Sequence, residues 1–141
     1  MKYLFDASAL VNVILSTETE EIKRVLKDGI ILDLTIYEYL NAMWKLAKVR
    51  RIISEEDAIN NAKLLSKLLE LGIINVIKSE NLRKIIKIAC KEYITVYDAS
   101  YIVCALENKL ILVTDDNKLQ AVSDKKKLKT LTSDEFLNKV R

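Results

Sequence analysis

The chain of 141 residues contains no histidine and no proline, and it has only two glycines and two cysteines. Without histidine it lacks the side chain that most often serves as a general base near neutral pH and as a transition-metal ligand. Cys90 and Cys104 are too few for a disulfide framework or a cysteine metal site, and their apolar surroundings predict two buried free thiols. Any chemistry on this chain must therefore run on carboxylates.

Long hydrophobic segments are also missing. No apolar run approaches the roughly 20 residues that a membrane-spanning helix needs. Lys2 and Asp6 place charges too early for the apolar part of a signal peptide. The sequence therefore predicts a soluble, cytoplasmic protein that makes no membrane contact, with residues 1–141 forming a single domain.

Short apolar segments alternate with segments of helical periodicity along the whole chain. Strands are predicted at residues 2–5, 30–34, 73–77, 110–113 and 128–131. Helices are predicted at residues 7–15, 18–28, 36–50, 55–71, 80–93, 96–108, 118–123 and 133–140. The strands are nearly continuously apolar, as strands covered on both faces are. This alternation predicts an α/β fold, a parallel β-sheet of about five strands with helices on both faces.

The two glycines stand between a predicted helix and a predicted strand. Gly29 follows the helix at 18–28, and Gly72 follows the helix at 55–71. Glycine commonly ends a helix in the left-handed conformation. Both positions are therefore predicted to terminate helices.

Acidic residues occur at four places where a strand or loop meets a helix: Asp6, Glu38, Asp98 and the pair Asp115–Asp116. In open parallel sheets, ligands bind beyond the carboxyl ends of the strands, where Asp6 and the Asp115–Asp116 pair are expected. Several carboxylates in one small domain favour a shared hard divalent cation such as Mg²⁺, which takes oxygen ligands.

Each acid also has a purely structural explanation. Thr35 with Glu38, and Thr95 with Asp98, have the spacing of helix capping boxes. Asp6 could cap the helix that begins at residue 7, although Ser8 could serve as well. Aspartates such as the pair at 115–116 are common in turns.

Basic residues form two clusters in a chain whose net charge is only +3. They are compatible with a nucleic-acid partner or with ordinary cations at helix ends and in solvated loops. The clusters comprise Lys45, Lys48, Arg50 and Arg51, and Lys125, Lys126, Lys127 and Lys129.

Four stretches carry a family resemblance, in the same order and over nearly the whole chain. They are residues 3–10 (YLFDASAL), 34–42 (LTIYEYLNA), 95–105 (TVYDASYIVCA) and 112–119 (LVTDDNKL). With these motifs the chain resembles the PIN-domain family, and most closely the single-domain VapC-type toxins of prokaryotic toxin–antitoxin pairs. The resemblance implies a five-stranded parallel sheet and a ribonuclease.

Carried over position by position, the family's catalytic quartet falls on Asp6, Glu38, Asp98 and Asp116. The resemblance implies that Asp6, Asp98 and Asp116 are metal ligands and that Glu38 is a ligand or positions the attacking water. Asp115 is an alternative to Asp116 as the fourth acid.

Hydroxyl and amide residues also match supporting positions of the family. Ser8 and Thr114 match small hydroxyl positions, and Asn12 is a weaker candidate for such a role. The resemblance further implies Mg²⁺ or Mn²⁺ as cofactor, RNA as substrate, a small antitoxin as partner and a homodimer.

The missing histidine bears on the type of cleavage. Ribonucleases that use the 2′-OH of the RNA rely on positioned general acids and bases, most often histidine. The sequence therefore favours hydrolysis by metal-activated water, and the family resemblance implies an endoribonuclease. An aspartate-nucleophile phosphohydrolase would have Asp-x-Asp after the first strand, where this chain has Ser8.

Two alternatives remain open beside the nuclease. One is a catalytically inactive PIN-fold binding or scaffold module, and the other is an α/β domain whose acids only cap helices. No RNA-stacking motif is visible, and Tyr37, Trp44 and Tyr101 fit core or dimer contacts as well as they fit RNA contacts.

Overall fold

The computed structural model describes residues 2–141. Strands and helices alternate from one end to the other, and a π-helical turn, Lys45–Val49, continues the third helix. The elements are β1 Tyr3–Phe5, α1 Ala7–Leu15, α2 Thr19–Val25, β2 Gly29–Leu32, α3 Asp33–Trp44, α4 Glu55–Glu70, β3 Ile74–Ile77, α5 Leu82–Glu92, α6 Val96–Asn108, β4 Ile111–Val113, α7 Asn117–Lys125, β5 Thr130–Leu131 and α8 Ser133–Val140.

The five strands form one parallel sheet in the order β3-β2-β1-β4-β5. The chain fills the sheet from β1 outward in one direction and then returns to the other side of β1 with β4. Ligand sites of open α/β sheets lie where the strand order reverses in this way. Phe5 pairs with Val113, and the backbone N–H of Asp6 donates to the carbonyl of Val113 at 3.1 Å. The residues that follow β1 and β4 therefore lie side by side.

Hydrophobic clusters cover both faces of the sheet. Successive residues of a strand point to opposite faces, and Phe5 accordingly joins one cluster while Leu4 joins the other. The Phe5 cluster draws its side chains from α1 to α4 and α8, and the Leu4 cluster from α5 to α7. The predicted fold class, a five-stranded parallel sheet between two helical layers, is confirmed.

One element boundary differs from the prediction in a way that affects the site. The strand expected at 30–34 ends at Leu32, and α3 begins at Asp33. The Thr35 hydroxyl accepts the backbone N–H of Leu32 at 3.1 Å, so Thr35 lies inside the first turn of α3. The predicted capping box of Thr35 and Glu38 is therefore wrong.

The two glycines have different roles. Gly72 has φ +70°, which confirms the predicted left-handed helix end. At the other helix end the left-handed residue is Asp28, with φ 63°, and Gly29 is the first residue of β2. A Cβ at Gly29 would lie 2.9 Å from the Leu26 carbonyl oxygen and 3.2 Å from the Phe5 ring. Space, rather than backbone conformation, explains this glycine.

Exposure corrects the prediction for one cysteine. Cys104 is buried as expected, but Cys90 is exposed on α5, which turns Ile85, Ile88 and Ala89 inward. None of the helices within residues 2–141 is both long enough and apolar enough to cross a membrane.

Candidate active site

Asp6 follows β1 and caps α1. Its Oδ1 accepts hydrogen bonds from the Ala9 backbone N–H and the Ser8 hydroxyl, both at 2.9 Å. Its Oδ2 accepts a hydrogen bond from the Thr114 hydroxyl, at the end of β4. Of the two candidates for this cap, Asp6 is the N-cap residue, and the Ser8 hydroxyl donates to its carboxylate. The cap also places the Asp6 carboxylate beside the end of β4, where the neighbouring acids begin.

Burial makes the charge of Asp6 costly. Its side chain is 7% exposed, and desolvation raises its pKa to about 6, against the opposing hydrogen bonds from Thr114, Ala9 and Ser8. The nearby Asp115 raises this pKa further. A cation beside Asp6 would offset both effects and hold the carboxylate ionised at neutral pH.

The two aspartates after β4 are used differently. Asp115 accepts the Ser133 backbone N–H through Oδ1 at 2.8 Å and the Asn12 side-chain amide through Oδ2 at 2.6 Å. Asp116 caps α7 through Oδ1 alone, accepting from the N–H groups of Lys118 and Leu119 at 2.8 and 3.1 Å. Both oxygens of Asp115 are thus engaged in joining α1 to the start of α8. Asp116 Oδ2 accepts no hydrogen bond from residues 2–141, and the Asp116 carboxylate lies close enough to Asp98 to raise the pKa of that predicted ligand, which favours Asp116 as the fourth acid.

Glu38 lies on α3 and is held from α6. The hydroxyl of buried Tyr101 donates to Glu38 Oε1 at 2.7 Å and is 2.7 Å from the Thr35 hydroxyl. Because Tyr101 has one hydroxyl proton and gives it to Glu38, Thr35 must donate to Tyr101. Three successive hydrogen bonds, here called the relay, thus run from the Leu32 N–H through the hydroxyls of Thr35 and Tyr101 to Glu38. Desolvation raises the pKa of Glu38, the Tyr101 bond lowers it, and Asp98 raises it.

Asp98 lies in the first turn of α6. The Thr95 hydroxyl caps this helix by accepting the Asp98 backbone N–H at 3.1 Å, while the Asp98 carboxylate lines the cleft. Desolvation and the neighbouring Asp116 raise the pKa of Asp98, and the Lys118 ammonium and the Thr95 bond lower it. Half of the predicted capping interaction therefore exists, and it leaves the Asp98 carboxylate directed to the cleft.

These residues enclose one cleft of about 280 Å³. Its lining combines residues from the ends of β1 and β4 with residues from α1, α3 and α6: Asp6, Ala7, Ser8, Glu38, Asp98, Tyr101, Asp115 and Asp116. Desolvation is the largest cause of the raised pKa values of Asp6, Glu38 and Asp98, and repulsion between acids adds to it: Asp115 acts on Asp6, Asp98 on Glu38 and Asp116 on Asp98. Thr114 is buried behind them. The cleft is thus rich in negative charge that nothing in its lining neutralises.

The donor set fits a hard divalent ion. Mg²⁺ typically uses one or two carboxylates together with water and substrate phosphate, and every side-chain donor here is an oxygen. Among residues 2–141, no three acidic or cysteine side chains lie close enough together to hold a metal ion between them. The cleft is therefore suited to an ion that retains part of its water shell rather than to an all-protein cage.

Sequence reasoning missed the role of Tyr101. A core position is one of the alternatives that the sequence leaves open for it, and its ring is indeed buried, but its hydroxyl also donates to Glu38. The signal was its place three residues after Asp98, which puts both on one helical face. Tyr37 and Trp44, by contrast, are exposed.

The basic clusters lie outside the cleft. Lys48 pairs with Glu55 at 2.6 Å, and Lys125 and Lys126 pair with Glu92 at 3.5 and 3.2 Å. These contacts match the second of the two explanations, cations at helix ends and on the solvated surface.

Comparison with known proteins identifies the family. The PIN domain family matches residues 3–125. This stretch contains all five cleft carboxylates and the five-stranded sheet up to β4. The chain belongs to the PIN-domain family.

Two curated relatives come from Pyrobaculum aerophilum. The chain is 34% identical to a protein named Exonuclease VapC9 over an alignment of 116 residues. This alignment covers 82% of this chain and 81% of the relative. The chain is 32% identical over 113 residues to Ribonuclease VapC3, with 74% and 82% covered. The sequence resemblance to VapC proteins is thereby confirmed.

Solved structures share the fold. The crystal structure of PAE2754 from Pyrobaculum aerophilum superposes with a TM-score of 0.77 at 28% identity, covering 99% of this chain and 95% of that one. VapBC-1 from nontypeable Haemophilus influenzae gives a TM-score of 0.61 at 16% identity, with 95% and 99% covered. The second likeness concerns the fold alone.

Proposed function

We propose that this chain is a Mg²⁺- or Mn²⁺-dependent endoribonuclease and the toxin of a VapBC-type toxin–antitoxin pair. The observation that carries the proposal is the cleft at the reversal of strand order, where five carboxylates meet without a neutralising cation in the lining. Membership of the PIN family supports it. The names of the two relatives, an exonuclease and a ribonuclease, support action on nucleic acid.

The residues of the chain divide the work. A bound divalent ion would supply charge stabilisation for the phosphate and a lower pKa for a water molecule. Asp6 would hold the ion, in a position fixed by Ser8, Thr114 and the Ala9 N–H. Asp98 and Asp116 would complete the site from α6 and the start of α7. Their mutual repulsion is the energy that a cation relieves.

Glu38 would position the attacking water. Tyr101 fixes its carboxylate through Oε1, and burial raises its pKa, so that it accepts a proton more readily than an exposed glutamate. No histidine is present to perform this task. A water nucleophile leaves the 2′-OH unused, so the products should carry 5′-phosphate and 3′-hydroxyl ends.

The test uses circular and linear RNA of one sequence, incubated with Mg²⁺, Mn²⁺ or excess EDTA. We expect the circle to be opened, because internal cleavage needs no free end, and EDTA to abolish cleavage. Digestion of the linear RNA alone would show an exonuclease. Cleavage in EDTA, or 2′,3′-cyclic phosphate ends, would contradict the mechanism. Metal binding without any cleavage would favour the scaffold alternative.

The partners are proposals drawn from the resemblance to VapC-type toxins: a small antitoxin and a second copy of the chain. Exposed apolar side chains on one face of α3, Tyr37, Leu40 and Trp44, are compatible with a protein contact. Light scattering of the purified chain across a concentration series would test the homodimer. Co-purification with the product of a neighbouring short reading frame would test the antitoxin.

A further inference from the structure

A second groove adjoins the acidic cleft. It has a volume of about 700 Å³ and shares Asp98 with the cleft, so the two spaces meet at that carboxylate. Its walls are mainly apolar side chains from α5, the following loop and the first turn of α6: Ile86, Cys90, Tyr93, Ile94 and Val96. The proposed cleavage chemistry uses none of these five residues.

The groove has the size and surface of a ligand site. Pockets for small molecules span about 300–1,000 Å³ and are mostly apolar with few polar groups. Tyr93 is 87% exposed and Ile86 is 52% exposed, which leaves an aromatic ring and an aliphatic chain facing solvent. Tyr93 also has φ 56°, a left-handed conformation that is uncommon for a residue with a side chain. Its backbone thus carries this ring at the end of α5, beside the groove.

Lys118 stands where the groove meets the cleft. Its ammonium donates to the carbonyl oxygen of Tyr93 at 3.0 Å. It also acts on Asp98, whose pKa it lowers. Of the residues between 2 and 141 that line either space, Lys118 has the only positive charge. A phosphate group that lies between the groove and the acids would meet this cation.

We propose that the groove is a nucleobase subsite. It seats the base of one unpaired RNA nucleotide next to the scissile phosphate, with Tyr93 stacking on the base and Lys118 contacting the adjoining phosphate. Proteins recognise unpaired bases by stacking them on aromatic rings, and their cationic side chains contact the phosphates of the nucleic-acid backbone. This inference rests on the proposed function, because it takes the acidic cleft as the place of cleavage.

The first experiment is a cycle between the base and Tyr93. A short single-stranded RNA with one cleavage site is compared with versions that carry an abasic nucleotide at each position in turn. At one position next to the cut, we expect the abasic RNA to lower kcat/KM about tenfold for the wild type, the value of one stacked base. Tyr93→Ala should cause the same loss on the intact RNA and no further loss on the abasic one. Leu82→Ala, which removes an exposed apolar side chain of α5 outside both the groove and the cleft, is the control.

The second experiment tests Lys118 through salt dependence. RNA binding is measured in the background of Asp6→Asn, so that the RNA stays intact. Each phosphate contact to single-stranded nucleic acid contributes about 0.7 to the slope of log affinity against log salt. Lys118→Gln should lower the slope by about that amount, and Lys63→Gln, at an exposed lysine of α4, should leave it unchanged.

The outcomes separate the subsite from the nuclease. If the wild type cleaves RNA but Tyr93→Ala is harmless, or is equally harmful to intact and abasic RNA, the subsite is wrong and the nuclease stands. If the wild type cleaves nothing, 2-aminopurine placed in the RNA decides: quenching that disappears in Tyr93→Ala keeps the subsite and discards the nuclease. A dimer that Ile86→Lys dissociates, with base dependence unchanged, assigns the groove to a second copy and overturns the subsite.

Discussion

The acidic cleft has a strand side and a helix side, and they hold their carboxylates in different ways. On the strand side, Asp6 directly follows β1, and Asp116 lies three residues after the last residue of β4. Both accept backbone N–H groups at the start of a helix. On the helix side, Glu38 and Asp98 project from α3 and α6. Glu38 is held by one phenol, and the Asp98 cap is formed by its backbone rather than by its carboxylate.

The difference follows from what surrounds each group. Asp6 and Asp116 are the N-cap residues of α1 and α7, so the unpaired N–H groups in the first turns of these helices are close to the two acids and fix them. On the helices the backbone N–H groups are already used within the helix, and only other side chains can hold an acid. The strand side is therefore positioned by the fold itself. Under the proposed function, the helix side would take its final arrangement from the ion and the substrate.

The largest expected loss of activity follows from a substitution on the strand side. Asp6→Asn keeps an acceptor oxygen for the Ala9 N–H but removes the charge, so we expect RNA cleavage to fall about a thousandfold, the value of several kcal/mol of lost charge stabilisation. The fold should persist with a higher Tm in the absence of metal, since the buried charge is gone. Cleavage rates and thermal melts of the purified protein measure both. Wild-type turnover by this variant would remove Asp6 from the site.

A smaller loss should follow on the helix side. Glu38→Gln is expected to lower cleavage about a hundredfold, because a neutral amide cannot position and deprotonate water. Tyr101→Phe should lower it about tenfold, the usual loss when a residue that orients a functional group is removed.

Stability separates these two variants. Tyr101→Phe leaves the buried Thr35 hydroxyl without its acceptor, at a cost of about 1–3 kcal/mol, while Glu38→Gln retains an acceptor for Tyr101. Urea unfolding provides the comparison. Equal rates for Glu38→Gln and wild type would reduce the active site to the strand side and Asp98.

The strand side was also the part of the site that the sequence predicted best. An acid that follows an apolar strand lies at the carboxyl end of the parallel sheet. Asp6 and the Asp115–Asp116 pair could therefore be located from the sequence pattern alone. The sequence could not distinguish Asp115 from Asp116. That distinction depends on Asn12 and on the start of α8, which are distant in sequence and meet only in the fold.

On the helix side, the capping explanation of Glu38 failed because tertiary structure overrode a local pattern. Thr35 and Glu38 have capping-box spacing, but β2 ends early and α3 starts at Asp33, so the Thr35 hydroxyl joins the relay to Tyr101 instead. Gly29 was misread for a related reason. A glycine after a helix suggests a left-handed turn, whereas the close approach of the Phe5 ring cannot be inferred from neighbouring residues.

A more modest effect should distinguish the neighbouring aspartates. Asp116→Asn can still cap α7, so we expect unchanged stability and cleavage reduced about tenfold, as for a water-mediated ligand. Asp115→Asn should retain most activity but lose about 1 kcal/mol of stability, because one of its two hydrogen bonds must rearrange. Cleavage rates and unfolding are measured for both variants, and we expect Asp116→Asn to lose activity only and Asp115→Asn to lose mainly stability. The reverse pattern would assign the fourth acid to Asp115.

The smallest expected effect is a pH dependence of the free energy of unfolding that is caused by Asp6, the buried acid of the strand side. The folded-state pKa of Asp6 is about 6, above the ordinary value of 3.8, so between these pH values the folded protein binds more protons than the unfolded chain. Stability must then fall as pH rises through that window, by on the order of 3 kcal/mol at most from this group.

Metal-free melts between pH 4 and 7 should show this decline. Asp6→Asn should lose the part that Asp6 causes, while the shallower contributions of half-buried Glu38 and Asp98, whose pKa values are also raised, remain. Saturating Mg²⁺ should flatten the wild-type curve, because an ion that binds the ionised form stabilises the native state most at high pH. A wild-type decline that Asp6→Asn leaves intact would show that the helix side, and not Asp6, carries the unfavourable charge.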